Sequence, residues 1–339
     1  MTAILVRLPN WVGDAAMSLP ALAAIRRHWP SAGIDLMSHP RVASLAAFAP
    51  GIRACRTVPV RGGTGWPELI QSLRAGAYDL GILLTPSFSS ALLFSLGGVV
   101  ERVGRRGQGR DWLLSTPLPS GNRTSSQVSQ YVEVVRAMGY DGPDPPLALA
   151  PDEASRQTAS VWLKSRGIEP GRFLAIAPGA AYGPAKLWPP GRFASVASAM
   201  HQRRHWPTVL IGAPVEQEIL DEVAAAIGND VYLFDRPALP EVVALLALAG
   251  ALVANDTGAL HLGRVAGTVV VGLFTSTSPE WTGPSSLEGE SVAAGVSCRP
   301  CFRRRCPLAS GRYACLTAVE PAAVVDAVER QLDRRAVTA

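Results

Sequence analysis

The feature that most constrains the fold is the regular alternation of short apolar runs with amphipathic stretches along the chain. Residues 3–8 form an apolar run interrupted only by Arg7, as expected for a buried strand, and residues 15–28 carry apolar side chains at helical spacing. Further apolar runs occupy residues 34–38 and 78–85. Strands separated by helices predict βαβ units and a parallel sheet, which indicates the α/β class.

The same alternation resumes in the second half, after a predicted helix over residues 125–138 and a proline- and glycine-rich segment at 139–153. We interpret this segment as a linker. The second series comprises predicted strands at 173–177, 208–212, 251–254 and 269–274, and predicted helices at 153–165, 193–203, 215–227, from 258 onward, and 322–334.

The length of 339 residues fits two domains, which we place at 1–150 and 151–339. Hydrophobic residues make up 48% and charged residues 17% of the chain, a composition that supplies two buried cores and argues against disorder. In open parallel sheets, ligands bind beyond the carboxyl ends of the strands. We therefore expect two Rossmann-like domains facing a central cleft lined by the loops that follow the strands.

Charge and targeting signals restrict the partners and the compartment. The formal net charge of +5 is mild and gives no reason to expect nucleic acid as a partner. No charged and apolar leader opens the sequence, and no apolar stretch reaches the roughly 18 residues that a spanning helix needs. We expect a cytoplasmic protein with reduced thiols, and peripheral membrane attachment stays open.

The first candidate site follows the first predicted strand, in the segment from Asn10 to Asp14. Gly13 is expected to let the backbone turn tightly, and Asp14 lies near the start of the next helix. Asp14 is either a helix cap or a general base that takes a proton from an attacking hydroxyl. The segment does not match the glycine fingerprint of dinucleotide-binding proteins.

Two further candidates follow strands of the second domain. Residues 178–189 form a loop of small residues and prolines in which Lys186 is a point charge suited to phosphate and Trp188 packs to fix the loop. Glu216 follows the next strand and could accept the hydroxyls of a ribose. The competing interpretations are an ordinary connector with a solvated lysine, and a first-turn glutamate that the helix dipole stabilises.

A fourth candidate, residues 255–261, lies between the strand at 251–254 and the helix that begins near Gly258. Free amides at Thr257 and Gly258 would suit a phosphate. Asp256 would repel a phosphate, so we expect it to hold amides or sugar hydroxyls, or to cap the helix. His261 is either a further donor or a satisfied core histidine.

Cysteines and arginines form three clusters whose roles the sequence leaves open. Cys298, Cys301, Cys306 and Cys315 resemble a zinc site only loosely, and a reduced structural cluster is the favoured interpretation. The run 303–305 is a solvated face or touches an anionic acceptor. A second basic group, expected on a loop, would suit an acceptor rich in phosphate or carboxylate; its members are Arg102, Arg105, Arg106 and Arg110.

Taken together, the motifs resemble the ADP-heptose:lipopolysaccharide heptosyltransferases of glycosyltransferase family 9, and most closely the type II enzymes. The motifs are PNWVGDAAMSLPAL, APGAAYGPAKLWP, NDTGALHL, LFTSTSP and SCRPCFRRRCP, in the family's order over nearly the whole chain. The sequence departs from the usual pattern at Leu260, Thr275 and the pair Val269–Val270.

The resemblance implies a GT-B fold with the acceptor on the N-terminal domain and the donor nucleotide on the C-terminal one. It implies an inverting transfer of heptose from ADP-heptose to the lipid A–inner core acceptor at the inner membrane surface, with no metal and no cofactor. Asp14 would be the general base and Lys186 the ligand of the leaving diphosphate. The implied donor-binding residues are Gly13, Glu216 at the ribose, and Asp256, Thr257, Gly258 and His261 at the diphosphate.

Three alternatives remain at this point. The first is a related GT-B enzyme that uses another nucleotide sugar, including a nucleotide-sugar epimerase. The second is a non-catalytic protein that binds a nucleotide sugar, which would have no need of Asp14 as a base. The third is a zinc-containing nucleic-acid binder, which the mild net charge and the large α/β body disfavour.

Overall fold

The computed structural model describes residues 2–338, apart from 47, 48, 50, 60–64, 149, 237 and 287. The chain divides into two compact units, an N-terminal unit of residues 1–149 and a C-terminal unit of residues 150–339. Each unit is an α/β domain built on one parallel six-stranded sheet, so the predicted fold class is confirmed.

The strands of the N-terminal unit are β1 (Ala3–Arg7), β2 (Gly33–Ser38), β3 (Ile52–Thr57), β4 (Leu80–Leu83), β5 (Glu101–Arg105) and β6 (Thr116–Leu118). Its helices are α1 (Val12–Met17), α2 (Leu19–His28), α3 (Ala43–Ala46), α4 (Trp66–Ala75), α5 (Phe88–Leu96) and α6 (Gln127–Arg136). The central strand β1 is buried along Ile4, Leu5 and Val6, because helices cover both faces of a sheet of this kind.

The prediction of one continuous helix over residues 15–28 is wrong, because the structure divides this segment into α1 and α2. Pro20 is the cause: it has no backbone N–H and could not continue a helix begun at Val12, but it fits the first turn of a new helix. The first helix also begins earlier than expected. Asp14 therefore lies inside a helical turn and not in the preceding loop.

The strands of the C-terminal unit are β7 (Leu174–Ala177), β8 (Thr208–Leu210), β9 (Val231–Leu233), β10 (Ala251–Asn255), β11 (Val270–Phe274) and β12 (Gly289–Ala293). Its helices are α7 (Glu153–Lys164), α8 (Pro190–Arg204), α9 (Gln217–Ile227), α10 (Leu239–Ala247), α11 (Gly258–Val265), α12 (Pro279–Thr282), α13 (Ala314–Thr317) and α14 (Pro321–Thr338). Its main core packs Trp188 and Phe193 with aliphatic side chains of the sheet and of α14.

The two sheets have the same topology. The strand orders are β3-β2-β1-β4-β5-β6 and β12-β11-β10-β7-β8-β9, and each places the first and fourth strands of its unit side by side at the centre. At that pair the chain reverses the direction in which it adds strands, and this switch point is where open α/β sheets bind ligands. The segments that follow β1 in one unit, and β7 and β10 in the other, are therefore the places to look for a site.

The second basic group does not form the exposed acceptor loop that the sequence predicted. Arg102 and Arg105 lie on β5, and Arg110 is fully buried. The guanidinium of Arg110 donates to the carbonyl oxygens of Thr85, at 2.5 Å, and of Arg105, at 2.6 Å. These bonds satisfy backbone carbonyls around β5, so Arg110 is a structural residue that no acceptor can reach.

Among the described residues, no helix combines the length and the apolar character that crossing a bilayer requires.

Candidate functional site

The loop after β7, residues 178–189, is held against the end of β10. The Asn255 amide donates to the carbonyl oxygen of Pro178 at 2.6 Å, and its oxygen accepts from the Trp188 backbone N–H at 3.4 Å. Trp188 is completely buried and its indole N–H donates to the Val319 carbonyl at 3.2 Å. Trp188 therefore fixes the loop, as the sequence predicted.

Lys186 lies within this loop and forms an ion pair with Asp256, the residue that follows β10. Lys186 Nζ is 2.6 Å from Asp256 Oδ2 and 3.0 Å from the Asp256 carbonyl oxygen. The side chains are 11% and 5% exposed, so the contact is largely shielded from water. Tyr182 lies beneath the ammonium, with its ring centre 4.9 Å from Nζ. The structure thus brings together two of the predicted site residues at the switch point of the second sheet.

Two threonine hydroxyls complete the surroundings of the Asp256 carboxylate. Thr277 donates to Oδ2 at 2.6 Å and Thr282 donates to Oδ1 at 3.2 Å. Burial alone would raise the pKa of this carboxyl, but the Lys186 charge, followed by the contact with His261, outweighs burial and holds the pKa well below its usual range. Asp256 is therefore a fixed anion that orients Lys186. Within the described residues it holds protein hydroxyls and an ammonium group, and not the amides that were one sequence-based expectation.

His261 is buried on α11 between Asp256 and Arg264. Its Nε2 lies 3.7 Å from Asp256 Oδ1, and its Nδ1 lies 3.2 Å from Arg264 Nη1. Since Arg264 can only donate, Nδ1 accepts and the imidazole proton lies on Nε2, toward the carboxylate. Burial, together with the Arg264 charge, lowers the pKa of His261 below its ordinary value, which favours the neutral ring.

The start of α11 lies next to the Lys186 ion pair in the chain. Thr257 is the N-cap in an extended conformation, Gly258 begins the helix, and both are half-buried. No capping hydrogen bond from the Thr257 side chain occurs within the described part of the chain, and the Asp256 carboxylate is engaged elsewhere. Thr257 therefore occupies the N-cap position, as one interpretation predicted, but within the described residues its side chain makes no capping hydrogen bond. The first-turn amides of α11 retain the capacity to bind an anion.

Glu216 lies at the end of a short 3₁₀ turn after β8 and is half-buried. Its Oε2 accepts from the Ala213 backbone N–H at 2.9 Å. The carboxylate also lies against Gly179 in the loop of residues 178–189, which we call the lysine loop because it carries Lys186. A Cβ added at Gly179 would meet Glu216 Oε1 at 2.0 Å. Glycine at 179 therefore allows the carboxylate to lie directly against the loop after β7.

Asp14 is the third residue of α1 and is half-buried. Trp11 is the N-cap of α1, so capping is not the role of Asp14. Burial, followed by the negative charge of Asp14, raises the pKa of Tyr131 on α6 well above its ordinary value. Gly13 lies inside α1 and its φ is not positive, so the prediction that it forms a tight turn is wrong; the chain turns before the helix begins.

The segment that carries the four clustered cysteines packs against the lysine loop. The Tyr182 hydroxyl donates to the Phe302 carbonyl at 2.5 Å, and Arg304 Nε donates to the Tyr182 carbonyl at 2.7 Å. Arg304, one arginine of the run 303–305, therefore stabilises the lysine loop. The four thiols are free, and among the residues that the structure describes no three His, Cys, Asp or Glu side chains are grouped to hold a metal ion.

Several residues that complete the site were not identified from the sequence. Thr275 is buried at the end of β11 and donates to the Ala185 carbonyl at 2.8 Å, next to Lys186. Thr277 and Thr282 bind Asp256, as described above. The run of hydroxyl residues 275–278 directly after an apolar strand was the available signal, because buried hydroxyls need partners.

Comparison with known proteins identifies the family. The profile of glycosyltransferase family 9 (heptosyltransferase) matches residues 66–311, well over half of the chain. The chain belongs to glycosyltransferase family 9. This enzyme is therefore a glycosyltransferase, and the family predicted from its motifs is confirmed.

Individual relatives agree with this assignment. Lipooligosaccharide heptosyltransferase 2 of Haemophilus ducreyi is 28% identical over 304 residues, which cover 84% of this chain and 86% of the relative. The structure of the E. coli ADP-heptose LPS heptosyltransferase II superposes with a TM-score of 0.83 at 24% identity, over 99% of each chain. A family 9 glycosyltransferase from Veillonella parvula gives 0.86 at 22% identity, over 98% of this chain and 97% of the other. The GT-B type of fold is thereby confirmed.

Proposed function

We propose that this enzyme transfers heptose from ADP-heptose to the inner core of lipopolysaccharide, in the manner of the type II heptosyltransferases. Membership of family 9 supports heptosyl transfer, and the named relatives of the second type support the choice within the family. The related GT-B transferases that use another nucleotide sugar form the competing class.

The observation that carries the proposal is the Lys186–Asp256 pair beside the first turn of α11. Two of the three N–H groups of Lys186 are directed at Asp256 among the described contacts, so one is left for a ligand oxygen. The amides of the first turn of α11 add positive partial charge a few residues along the chain. An ammonium and a helix N-terminus at one switch point suit a diphosphate, whose negative charge grows as it leaves.

We assign the ribose of the donor to Glu216. One of its oxygens is engaged with the Ala213 N–H, which orients the carboxylate and leaves the other oxygen for sugar hydroxyls. Glu216→Gln should weaken the binding of ADP while leaving that of 2′-deoxy-ADP nearly unchanged, as titration calorimetry measures. An equal loss of affinity for both nucleotides would show that Glu216 does not bind the ribose.

In the proposed mechanism, Asp14 is the general base, and the transfer inverts the configuration at the anomeric carbon. The acceptor hydroxyl oxygen attacks the anomeric carbon of the heptose, its proton passes to the Asp14 carboxylate, and the bond from that carbon to the diphosphate breaks. ADP departs with its charge stabilised by Lys186 and by the amides of Thr257 and Gly258. The transition state has oxocarbenium character, as in glycoside hydrolysis.

The N-terminal unit, which carries Asp14, is assigned to the acceptor, and the C-terminal unit, which carries Lys186, to the donor. His261 belongs to the proposed donor site, because it lies beside Asp256. The reaction in this proposal uses no metal and no cofactor. We place the enzyme in the cytoplasm at the inner face of the inner membrane, since its lipid-linked acceptor is anchored there.

The test is an ADP-release assay with an inner-core acceptor and a panel of ADP-heptose, ADP-glucose and UDP-N-acetylglucosamine. We expect turnover with ADP-heptose alone. Asp14→Asn should lower kcat by roughly 10²- to 10⁴-fold with ADP affinity nearly intact, because general base catalysis contributes about that much. Lys186→Met should lower both kcat and nucleotide affinity.

The other outcomes separate the alternatives. Turnover with another donor would assign a different GT-B transferase, and binding of ADP-heptose without turnover would assign a non-catalytic binder. If Asp14→Asn abolishes ADP binding, Asp14 supports the fold or the donor and is not the base.

A further inference from the structure

Two exposed side chains, Trp11 and Arg41, meet at the carboxyl ends of β1 and β2. The two strands pair in parallel with Arg7 opposite Met37, and each of the two side chains follows one member of this pair by four residues. The register of the strands therefore brings together two loops that are distant in the sequence. The Arg41 guanidinium lies over the Trp11 ring, 5.3 Å from its centroid, which is a cation–π contact.

The backbone that carries Arg41 is fixed by local contacts. Arg41 lies in a 3₁₀ turn of three residues, and its backbone N–H donates to Nδ1 of His39, the N-cap of the turn, at 3.1 Å. Pro40 restricts φ at the start of the turn, and Val42 at its end is fully buried. The turn packs against α1, which begins directly after Trp11. The guanidinium therefore extends from an ordered backbone onto the tryptophan ring.

Arg7 places a second positive charge at this edge of the sheet. Its side chain is 3% exposed and donates to Ser90 Oγ at 3.1 Å and to Asn10 Oδ1 at 2.5 Å, and its other described acceptors are backbone carbonyl oxygens. Burial lowers the pKa of Arg7 to about 10, so the group is still charged at neutral pH. Among the contacts that the structure describes, no carboxylate neutralises Arg7 or Arg41. Positive charge without a counter-ion, at an edge where such sheets bind ligands, favours an anionic ligand.

His39 experiences both of these charges. Burial, followed by the charges of Arg41 and then Arg7, lowers the pKa of its imidazole. The ring is therefore neutral at pH 7, and because Nδ1 accepts from the Arg41 backbone, its proton lies on Nε2. The loop after β2 thus offers a neutral donor beside the guanidinium.

We propose that Arg41, held over the Trp11 ring, is an acceptor-binding residue that takes a phosphate or carboxylate group of an anionic acceptor sugar. This inference rests on the proposed function, which assigns the acceptor to the N-terminal unit and the base to Asp14, three residues after Trp11. A guanidinium presents its N–H groups as a fork that matches either oxyanion. Within the described residues, the contact with the ring leaves these N–H groups without an oxygen partner.

The test measures the KM for the acceptor and the KM for ADP-heptose with an inner-core oligosaccharide acceptor. Arg41→Met should raise the acceptor KM roughly 10- to 100-fold, as expected for the loss of hydrogen bonds between charged groups, while the KM for ADP-heptose stays parental. Arg136→Met is the matched control in the same unit, because the Arg136 guanidinium also lies over an aromatic ring, 5.7 Å from the Tyr140 centroid. The acceptor KM of this control should equal that of the parent enzyme.

Two treated acceptors identify the anionic group. One is treated with phosphatase, and the other has its carboxyl groups reduced to alcohols. The treatment that removes the group bound by Arg41 should raise the acceptor KM of the parent enzyme and leave that of Arg41→Met unchanged, which assigns phosphate in the first case and carboxylate in the second. If Arg41→Met raises the acceptor KM by the same factor for untreated and treated acceptors, or leaves it parental, the inference is overturned.

A double-mutant cycle tests the contribution of Trp11. Trp11→Leu keeps an apolar side chain but removes the ring, so the acceptor KM should rise about 2- to 5-fold, in line with an exposed cation–π contact. In an Arg41→Met background, the same substitution should raise the acceptor KM no further. Equal increases in both backgrounds would show that the ring does not act through Arg41 and would overturn that part of the inference.

The same assays separate this inference from the function on which it rests. A parental acceptor KM in Arg41→Met, measured while heptose transfer proceeds, refutes the acceptor-binding role of Arg41 and leaves the proposed function standing. Absence of heptose transfer by the parent enzyme refutes the proposed function, and the acceptor role of Arg41 with it.

Discussion

Lys186 and Asp256 are 70 residues apart in the sequence, and yet the Lys186 Nζ and the Asp256 Oδ2 are separated by only 2.6 Å. The two residues follow β7 and β10, which are neighbours in the second sheet. The pair joins a proline-rich loop to the start of a helix, and Thr277 and Thr282 lock the carboxylate from the other side. One buried ion pair therefore holds together the elements of the proposed diphosphate site.

The first prediction concerns the stability of this pair. Lys186→Met leaves a buried and uncompensated carboxylate, which should lower the free energy of unfolding by about 3–5 kcal/mol. Adding Asp256→Asn removes the stranded charge, so the double variant should be more stable than Lys186→Met alone. Urea denaturation of the single and double variants measures the difference. Equal stabilities of the two would show that Asp256 does not depend on Lys186 for its charge compensation.

The second prediction concerns Thr275, which is buried directly after β11. Thr275→Val removes the hydroxyl that binds the Ala185 carbonyl and should cost about 1–3 kcal/mol of stability. It should also weaken ADP binding, because Ala185 precedes Lys186 in the loop. Thr268→Val is the matched control, since the buried Thr268 hydroxyl donates to the Leu246 carbonyl at 2.6 Å. The control should lose similar stability and retain ADP affinity, and equal ADP affinities in both variants would contradict the prediction.

The third prediction is an acid sensitivity that originates in the N-terminal unit. Asp35 on β2 is 1% exposed; burial would raise its pKa, but hydrogen bonds from Arg53, Tyr78 and Arg56 lower it to about 2. A carboxyl with a depressed folded pKa stabilises the protein above its unfolded value of 3.8, and this stabilisation is lost as the pH falls through about 2. The contribution is on the order of 2 kcal/mol.

Asp35→Asn tests this linkage. The variant should be less stable than the parent at pH 7, and its free energy of unfolding should change less between pH 4 and pH 2. Denaturant titrations at a series of pH values measure both effects. Parallel pH profiles for the two proteins would assign the acid sensitivity to other carboxyl groups.

The fourth prediction is that chelation leaves turnover unchanged. Lys186 and the first-turn amides of α11 supply positive charge for the departing diphosphate, and Asp256 is already engaged by an ammonium and two hydroxyls. Dialysis against EDTA followed by the ADP-release assay should give the parental kcat, and added Mg²⁺ should not raise it. A kcat that falls on chelation and returns with one metal ion would refute this prediction.

Particular elements show how far the sequence allowed prediction. The strand predicted over residues 251–254 and the helix predicted from Gly258 agree with β10 and α11 within one residue, because a fully apolar run followed by a small-residue turn has few other conformations. The helix predicted over 15–28 was wrong because apolar periodicity continues across Pro20 while backbone hydrogen bonding does not. The prediction that the four arginines form an exposed loop was wrong. Charge in a sequence gives no information on burial, and Arg110 is buried among carbonyl oxygens.

The sequence by itself determined the α/β class, the family, and the places after strands where functional side chains would lie, because periodicity and local motifs are properties of neighbouring residues. Lys186, Asp256 and Asp14 became candidates on that basis. Only the tertiary structure decided which groups the side chains of the C-terminal unit contact: Lys186 is held by Asp256, and Asp256 by Thr277 and Thr282. Each of these contacts joins residues at least 21 positions apart, and such pairs are selected by the packing of strands and helices, which no local pattern encodes.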